Sequence, residues 1–510
     1  MDTKSYDAIV IGCGLGGLIA AARLARAGKK ILMLEQHVVP GGCATVFKRR
    51  HFTMEVGLHE MDGLDDADFK REIFAQLDVF QNLEFVPVPE FYRTVTEDGR
   101  IDAVIPDNAQ KAIQMLQARF PEEGAAINAY FETIHELRCE VARMNAMPKW
   151  RFALCLPLFP VIFPRIARLY KKSLGQFLQS ITGNAELRQI LLTNLGYYHD
   201  DPESMSMLYY SMAQGGYYAG GGHYIKGGSQ KLADYLVTYI KERGGEILFN
   251  QLVTSILVEH GRAGGVAFER RHGRHKNPSA ARAKIIIANA AIPNLPDLLP
   301  SAEAFRLKRS IAGQQIACSL FSIYVGFKSP PAPADQSCYS TFVAPKVFDD
   351  LRQIALNNRA PFHERGFVFV DYSKIDSGLA ESPRSVGAFC CVDYLEDWEN
   401  LDTEAYNARK EAAARHFFDR MERFMPGFKE KIETYEVGTP RTIKHYTMNP
   451  AGSAYGFAQI PGQDGIQRIK SKSVVPGLHY ASAYTFPGGG FTGAILSGWF
   501  AAAGVLKDLR

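Results

Sequence analysis

A chain of 510 residues that is 46% hydrophobic and 22% charged holds enough apolar material for a large core in two or more domains, which excludes a disordered or fibrous protein. Its 58 basic and 54 acidic residues leave a net charge of +4, too weak a field to gather a polyanion, so no nucleic acid partner is expected. The 8 cysteines form neither a CxxC pair nor a His/Cys cluster at zinc spacing, a usage that suits a reducing compartment, buried thiols and no metal.

The amino-terminal MDTKSYDAIVIG has no basic region leading into an apolar stretch and a small-residue cleavage site, so a cytoplasmic location is expected. Tyr6 to Ile11 is a short apolar run suited to a buried parallel strand, and it leads directly into GCGLGG, with Gly12, Gly14 and Gly17 at GxGxxG spacing. An alanine-rich helix is predicted from Leu15 to Ala27, closed by Gly28, followed by a second buried strand from Lys30 to Leu34 that ends in Glu35. In such a βαβ unit Gly12 turns the chain, Gly14 lets the backbone approach a pyrophosphate and Gly17 lets helix pack on strand. The helix N-terminus then offers free N–H groups to phosphate. Glu35 is placed to accept from a ribose 2′-hydroxyl and to repel a 2′-phosphate, which points to NAD or FAD rather than NADP.

Gln36 to Thr45 reads QHVVPGGCAT, with Gly41 and Gly42 just beyond that acid, and FTMEVGLHEMDG follows at 52–63. The most apolar run, Phe152 to Phe163, falls short of the ~20 residues of a spanning helix, and Pro157, Pro160 and Pro164 rule out one straight helix. With Trp150 before it and Arg165, Arg168, Lys171 and Lys172 after it, the stretch reads either as an anchor at a bilayer interface or as a core helix with a solvated basic end. Tyrosines and methionines crowd 197–224, a composition that lines adaptable apolar pockets and also fills ordinary cores. Glycines gathered at 215–228 read as a hinge.

Leu232 to Lys241 has helical spacing, Gly244 and Gly245 stop the helix, and Ile247 to Leu257 is rich in strand formers. The basic stretch 262–276 reads as an exposed hairpin around Gly273 rather than a binding patch. Lys284 to Ala288 is another buried-strand candidate leading to Asn289 and Ala290. Near the end, PGGGFTGAILSGWFAAA is a glycine turn opening a helix of small and apolar residues.

Taken together, GGCAT, MEVGLHEM, HYIKGGSQKLADYLVTYIKERGGEILFNQLVTSI (223–256), NPAGSAYGFAQIP (449–461) and GLHYASAYTFPGGGFTGAILSGWFAAA (477–503) resemble the FAD-dependent phytoene desaturase, carotenoid isomerase and retinol saturase family, which belongs with the flavin amine oxidases. The resemblance implies FAD held by Gly12, Gly14, Leu15, Gly16 and Gly17, by Glu35 and Gln36, and by Gly41, Gly42, Cys43 and Thr45. It implies further contacts from Gly57, Leu58 and His59, from Val253 against the adenine, from Asn289 and Ala290 beside the pyrophosphate, and from Ala483, Gly490, Phe491 and Thr492 at the ring. The FAD is expected to be non-covalent, since no cysteine follows Cys391. His59 would run under the ring, where its imidazole orients substrate or moves a proton, the alternative being a structural histidine. Tyr455 and Tyr484 are the other catalytic candidates.

Three positions depart from the family pattern: Cys43 stands for the usual arginine of GGR, as in retinol saturase-like members, Glu55 for an aspartate, and Ala483 for a frequent acid. No second GxGxxG sits on a βαβ unit, so quinone, oxygen or a separate reductase is the expected electron partner.

The expected fold is α/β, a discontinuous Rossmann-like FAD-binding domain (1–60, 205–310 and 440–510) with an inserted α+β substrate domain (61–204 and 311–439). The expected function is an FAD-dependent oxidoreductase that desaturates or saturates a carbon–carbon bond of a lipophilic polyene or isoprenoid-like substrate by hydride transfer with flavin N5. Peripheral membrane contact at 150–172 accompanies it. Isomerisation by reduced FAD, amine oxidation, and a flavin-bound structural or partner protein are the alternatives.

Overall fold

The computed structural model describes residues 5–273, 275–333 and 337–510. The first four residues and Arg274, which belong to the amino-terminal and hairpin readings above, lie outside the described residues. Strand Ser5–Ile11 pairs in parallel with Ile31–Leu34 on one side and Ser279–Ala288 on the other. Glu246–Leu248 and Leu478–Tyr480 extend this parallel core, and the antiparallel strands Gln251–Glu259 and Arg262–Arg270 complete a seven-stranded sheet. Ile31 to Leu34 are all buried, as a parallel strand covered on both faces requires. Helix Leu15–Arg26 packs between Gln230–Glu242 and Gly490–Asp508. It touches the last helix backbone to backbone, because any side chain at Gly498 would collide with the Gly16 carbonyl.

The run from Ile247 to Leu257 is not one strand. It breaks at Asn250, whose φ of +57° turns the chain, while the Asn250 and Gln251 amides donate to the carbonyls of His37 and Glu35 at 3.0 and 2.8 Å. The second segment is thereby docked beside Glu35. The glycines at 215–228 do not form a hinge: Gly215, Gly216 and Gly220 lie inside helix Met207–Gly220, where their missing side chains admit Arg138, Asp62 and Gly63.

A second seven-stranded sheet runs Ile432–Gly438, Ser319–Phe327, Ser385–Asp393, Phe367–Asp371, Ser340–Ala344, Tyr92–Thr96 and Asp102–Ile105. Helix Thr403–Phe424 covers it through Phe417 and Met421, which are fully buried with Trp398 and Phe389. A helical layer that includes Gly124–Ala146, Leu174–Ile181 and Met207–Gly220 packs around a separate cluster rich in tyrosine and leucine.

The prolines of 150–172 divide it into short helices, Lys149–Cys155, Phe159–Ile162 and Pro164–Leu169. Phe163, Ile166 and Leu169 face the core, whereas Trp150, Leu154 and Val161 are 68%, 71% and 76% exposed. Among the described residues no helix is long and apolar enough to cross a membrane. The expectation of buried thiols holds for only half of the cysteines: Cys13, Cys318, Cys390 and Cys391 are buried, but Cys43 and Cys139 are exposed and Cys155 and Cys338 partly so. Cys43 departs because its open surface belongs to the cavity described next.

Candidate active site

A cavity of about 2850 Å³ is lined by residues of both sheets and reaches the 150–170 segment, where Phe152, Leu156, Phe159 and Tyr170 form part of its wall. Pockets for one drug-sized ligand are ~300–1,000 Å³, so this one has room for two. One end is the glycine turn. Gly12 has φ +93° and Gly14 caps helix Leu15–Arg26 without a side chain of its own. Gly12, Gly14, Leu15 and Gly16 line the cavity, so the free amides of the helix start face it. Gly17 does not line it: a Cβ there would lie 2.5 Å from the Gly12 carbonyl, the close helix-to-strand packing its spacing predicts.

Glu35 follows at the end of the second strand, 8% exposed. Its Oε2 accepts from the Cys13 amide at 2.6 Å and its Oε1 from the His37 amide at 2.8 Å. Burial pushes its carboxyl above the ordinary range against these amides, which favour the charged form. Each oxygen keeps a lone pair, so the carboxylate is aimed by backbone and still able to accept from a ligand hydroxyl. Gln36, beside it, has a buried Oε1 with no hydrogen-bond partner among the described residues. Gly41 is tied to the glycine turn by its amide on the Cys13 carbonyl at 2.8 Å, which brings Gly42, Cys43 and Thr45 to the cavity wall. Val253 faces the same end, and Asn289 and Ala290 close it. The Asn289 side chain donates to the Ala481 carbonyl.

The opposite end is built by the start of helix Gly490–Asp508. Gly490 has φ +77° and open space where a side chain would stand, and Phe491 and Thr492 line the wall beside it. The Thr492 hydroxyl donates to Asp62 Oδ1 at 2.6 Å, and Tyr209 donates to the Gly489 carbonyl at 3.1 Å. Ala483 also lines the cavity, and its carbonyl accepts from Arg468 at 2.9 Å. Arg468, which no local motif singles out, is 2% exposed, and its two terminal nitrogens donate to the carbonyls of Phe457, Ala458, Gln463 and Ala483 and to Gln459. It thereby fixes the loop that carries Ala483.

Between the two ends, Gly57 and His59 line the cavity, and Leu58 does not. Leu58 is buried in the core with its carbonyl accepting from Tyr372 at 2.9 Å. The hairpin carrying these residues is anchored by Glu55, which accepts from the Ser229 amide and hydroxyl and from the Leu58 amide at 3.2 Å. The longer acid at 55 is thus fully engaged in structure. Tyr455 and Tyr484 both face the cavity. Tyr455 donates to the Gly196 carbonyl at 3.1 Å, whereas the Tyr484 hydroxyl is buried without a partner among the described residues. The tyrosine-rich run divides: Tyr197, Tyr198, Tyr209 and Tyr217 line the cavity, and Tyr210 and Tyr224 are fully buried behind it.

His59 Nδ1 lies 3.0 Å from the Tyr197 hydroxyl, and burial lowers its pKa from 6.5 to about 4. The imidazole is therefore neutral at pH 7, fit to hold a hydrogen bond and not to donate from an imidazolium. Between pH 6.5 and about 4 the unfolded chain binds the proton that the folded chain refuses. Acidification through that window thus favours unfolding. Relative to His59→Gln, the wild type is expected to lose thermal stability as pH falls from 6.5 to 4; parallel melting curves for the two proteins would disprove the shift.

Comparison with known proteins adds three findings. A family model described as "Flavin containing amine oxidoreductase" matches residues 15–506. Prolycopene isomerase of Daucus carota is 28% identical over 99% of this chain and 81% of its own length, and all-trans-retinol 13,14-reductase of Danio rerio is 27% identical over 89% and 78%. Among solved structures, putrescine oxidase superposes with a TM-score of 0.66 at 16% identity over 99% of this chain and 100% of that one. Cyclohexylamine oxidase from Brevibacterium oxydans does so with a TM-score of 0.62 at 14% identity over 99% and 100%.

Proposed function

Because the chain belongs to the flavin containing amine oxidoreductase family, whose cofactor is FAD, we propose that it is an oxidoreductase acting on a carbon–carbon bond of a lipophilic polyene. The observation that carries this reading is the cavity, with a glycine cradle and a ribose-directed acid at one end and a wall of tyrosines and aliphatic side chains at the other. FAD fits the first part by the chemistry of its walls. A side chain at Gly14 would fill the cradle 2.6 Å from Asn289 Oδ1, and the orphaned Gln36 Oε1 offers an acceptor next to Glu35. When bound, FAD supplies a two-electron acceptor or donor.

The chain's own residues bind, orient and exclude water. Gly12 to Gly16 and the first helix would hold the pyrophosphate, Glu35 and Gln36 the adenosine ribose, and Val253 the adenine. Cys43, His59, Ala483 and Gly490 to Thr492 would surround the ring. Leu320, Tyr197, Tyr324 and Tyr455 would clamp the polyene in a dry, mainly apolar slot, so that position and desolvation are the protein's contribution. Tyr197 keeps His59 turned by their hydrogen bond.

Phe152, Leu156, Phe159 and Pro160 continue the cavity wall outward to exposed Trp150, Leu154 and Val161, with exposed Arg168 and Lys171 close behind. An apolar mouth fringed by cations suits the surface of an anionic bilayer, from which a substrate insoluble in water would be drawn. The electron partner in this reading is a quinone, oxygen or a reductase.

The deciding experiment is anaerobic incubation of the oxidised and the dithionite-reduced protein with prolycopene and with all-trans-retinol, read by product mass. Loss of two hydrogens, gain of two, or an unchanged mass with a new isomer assigns desaturation, saturation or isomerisation. Inertness towards both, with peroxide released from an amine, would replace the reading by amine oxidation. Acid precipitation of the same protein is expected to release all of its flavin, since the FAD is held without a covalent bond.

A further inference from the structure

Beside His59, on the edge strand Met61–Asp62 and the residue before it, lies a carboxyl group that the reading above leaves unused. Glu60 lines the cavity, is 8% exposed, and has a buried Oε2 without a hydrogen-bond partner among the described residues. The charges that act on it are those of other carboxyl groups. A Cβ on Gly222 of the neighbouring strand would lie 2.5 Å from Glu60 Oε2, and one on Gly221 would lie 2.8 Å from Asp107 Oδ2, so the two carboxyls flank one glycine pair. Asp107 and Glu90 are only half-buried, Glu90 being fixed by the Tyr339 amide at 2.5 Å. Asp107 and Glu90 are thus partly exposed acids close enough for their charge to be felt at Glu60 on the cavity wall.

The groups around Glu60 all act in one direction. Burial comes first, then the negative charges of Glu90, Asp107 and Asp62, and together they hold its proton well above the usual carboxylate range. Asp62, by contrast, is satisfied by Thr492 and by its 3.7 Å pair with Lys70. The phenols of Tyr197, Tyr198, Tyr217 and Tyr339, which feel the Glu60 charge, are themselves pushed upward by burial and stay protonated. His223, on the paired strand, is lowered by burial and by Lys70, and Glu90 feels Lys374. With His59 neutral, Glu60 is the acid on this wall able to give up a proton to a carbon and to take one back.

We propose that Glu60 is the proton donor and acceptor of the reaction, fed from solvent through Asp107 and Glu90. This rests on the polyene reading given above. In reduction, one carbon of the double bond receives two electrons and one hydrogen from the reduced cofactor, and the other receives the Glu60 proton. The Glu60 carboxylate then takes a proton from water by way of Asp107 and Glu90, and an added reductant of the dithionite class restores the cofactor. Desaturation runs the same transfers in reverse: the carboxylate accepts the proton from carbon and an added oxidant of the quinone class takes the electrons.

Two readouts test this, and only one of them needs turnover. The infrared spectrum of the wild-type holoenzyme is expected to show the carbonyl stretch of a buried carboxylic acid that shifts in D2O, and Glu60→Gln is expected to lack it. In D2O, the dithionite-reduced wild type should place two deuteriums on all-trans-retinol, one by way of the exchanged reduced cofactor and one by way of Glu60. Glu60→Gln should retain FAD and lower that rate ~100-fold or more, as loss of a general acid does. Glu60→Asp, tested alongside in case the glutamine variant loses FAD, should restore part of the rate. Persistence of the infrared band in Glu60→Gln, or a rate within about threefold of wild type, overturns the role of Glu60. A wild type inert towards both polyenes would overturn the substrate reading instead, while the infrared band would still report on Glu60.

Discussion

Gly14→Val is expected to give a folded protein that purifies without its yellow colour. The backbone at Gly14, φ −69° and ψ 168°, is open to any residue, so the change costs no backbone strain. The cost is space. A Cβ at this position lies 2.6 Å from Asn289 Oδ1, and Asn289 cannot retreat because its side chain is bonded to the Ala481 carbonyl and its amide to Ile11 at 2.8 Å. The valine methyls are then forced over the first free amides of helix Leu15–Arg26, where the pyrophosphate would sit. Each hydrogen bond to a charged group that is lost costs ~1.5–3 kcal/mol, so displacing two weakens FAD binding on the order of a thousandfold. Gly28→Ala is the control. It sits at φ +70° with open space around it, so it should lower stability by about 1 kcal/mol and leave the flavin in place. Flavin absorbance per polypeptide, with circular dichroism to show folding, checks both; a yellow Gly14→Val protein would remove the glycine turn from the cofactor site.

The second large effect is expected at the cavity mouth. Trp150, Leu154 and Val161 stand more than two-thirds exposed on two short helices, while Phe163 and Leu169, which follow them in the chain, are buried. Burying one such side chain is worth ~1.5–3 kcal/mol, so changing all three to serine should weaken partition into vesicles at least ~100-fold. Surface changes of this kind leave folding stability within about 0.5 kcal/mol. Flotation with phosphatidylcholine–phosphatidylglycerol vesicles should carry the wild type to the top of the gradient and leave the triple variant at the bottom, with equal flavin content in both. Raising the salt should loosen the wild type as well, since Arg168 and Lys171 act through a screened attraction. Equal flotation of the two proteins, or none by either, would detach this patch from membrane contact.

The amine oxidases that share this fold make an instructive contrast. Their likeness to this chain, at 14–16% identity, reaches the backbone architecture and no further. In this chain the lining consists largely of aliphatic and phenolic side chains, with a neutral His59 among them.

The amino-terminal unit was legible in the sequence because each of its parts answers to a local rule. A buried parallel strand needs an apolar run, a phosphate cradle needs glycine at fixed offsets, and the ribose acid must follow the next strand. Ser5–Ile11, Leu15–Arg26, Ile31–Leu34 and Glu35 follow from those rules alone, and so does the small-residue helix Gly490–Asp508. The breaks in 150–172 likewise follow from proline, which removes a backbone donor wherever it stands.

Other features required the folded chain, because they depend on residues that meet across hundreds of positions. Nothing local marks Asn250 as the point where a run of strand formers divides; the carbonyls of His37 and Glu35 decide it. Gly215 and Gly216 look like a hinge until Arg138 and Asp62 are seen to need their empty space. Leu58 and His59 are neighbours in sequence, yet one is core and the other cavity wall. Composition and spacing determined a βαβ unit with a glycine turn, an acid at the end of its second strand and a glycine-led last helix, since these are short-range consequences of backbone geometry. Only the tertiary structure decided which tyrosines face the cavity, that His59 is neutral, and that the Glu60 carboxyl is pushed well above the usual carboxylate range, because burial and the charges of Glu90, Asp107 and Asp62 converge there through space.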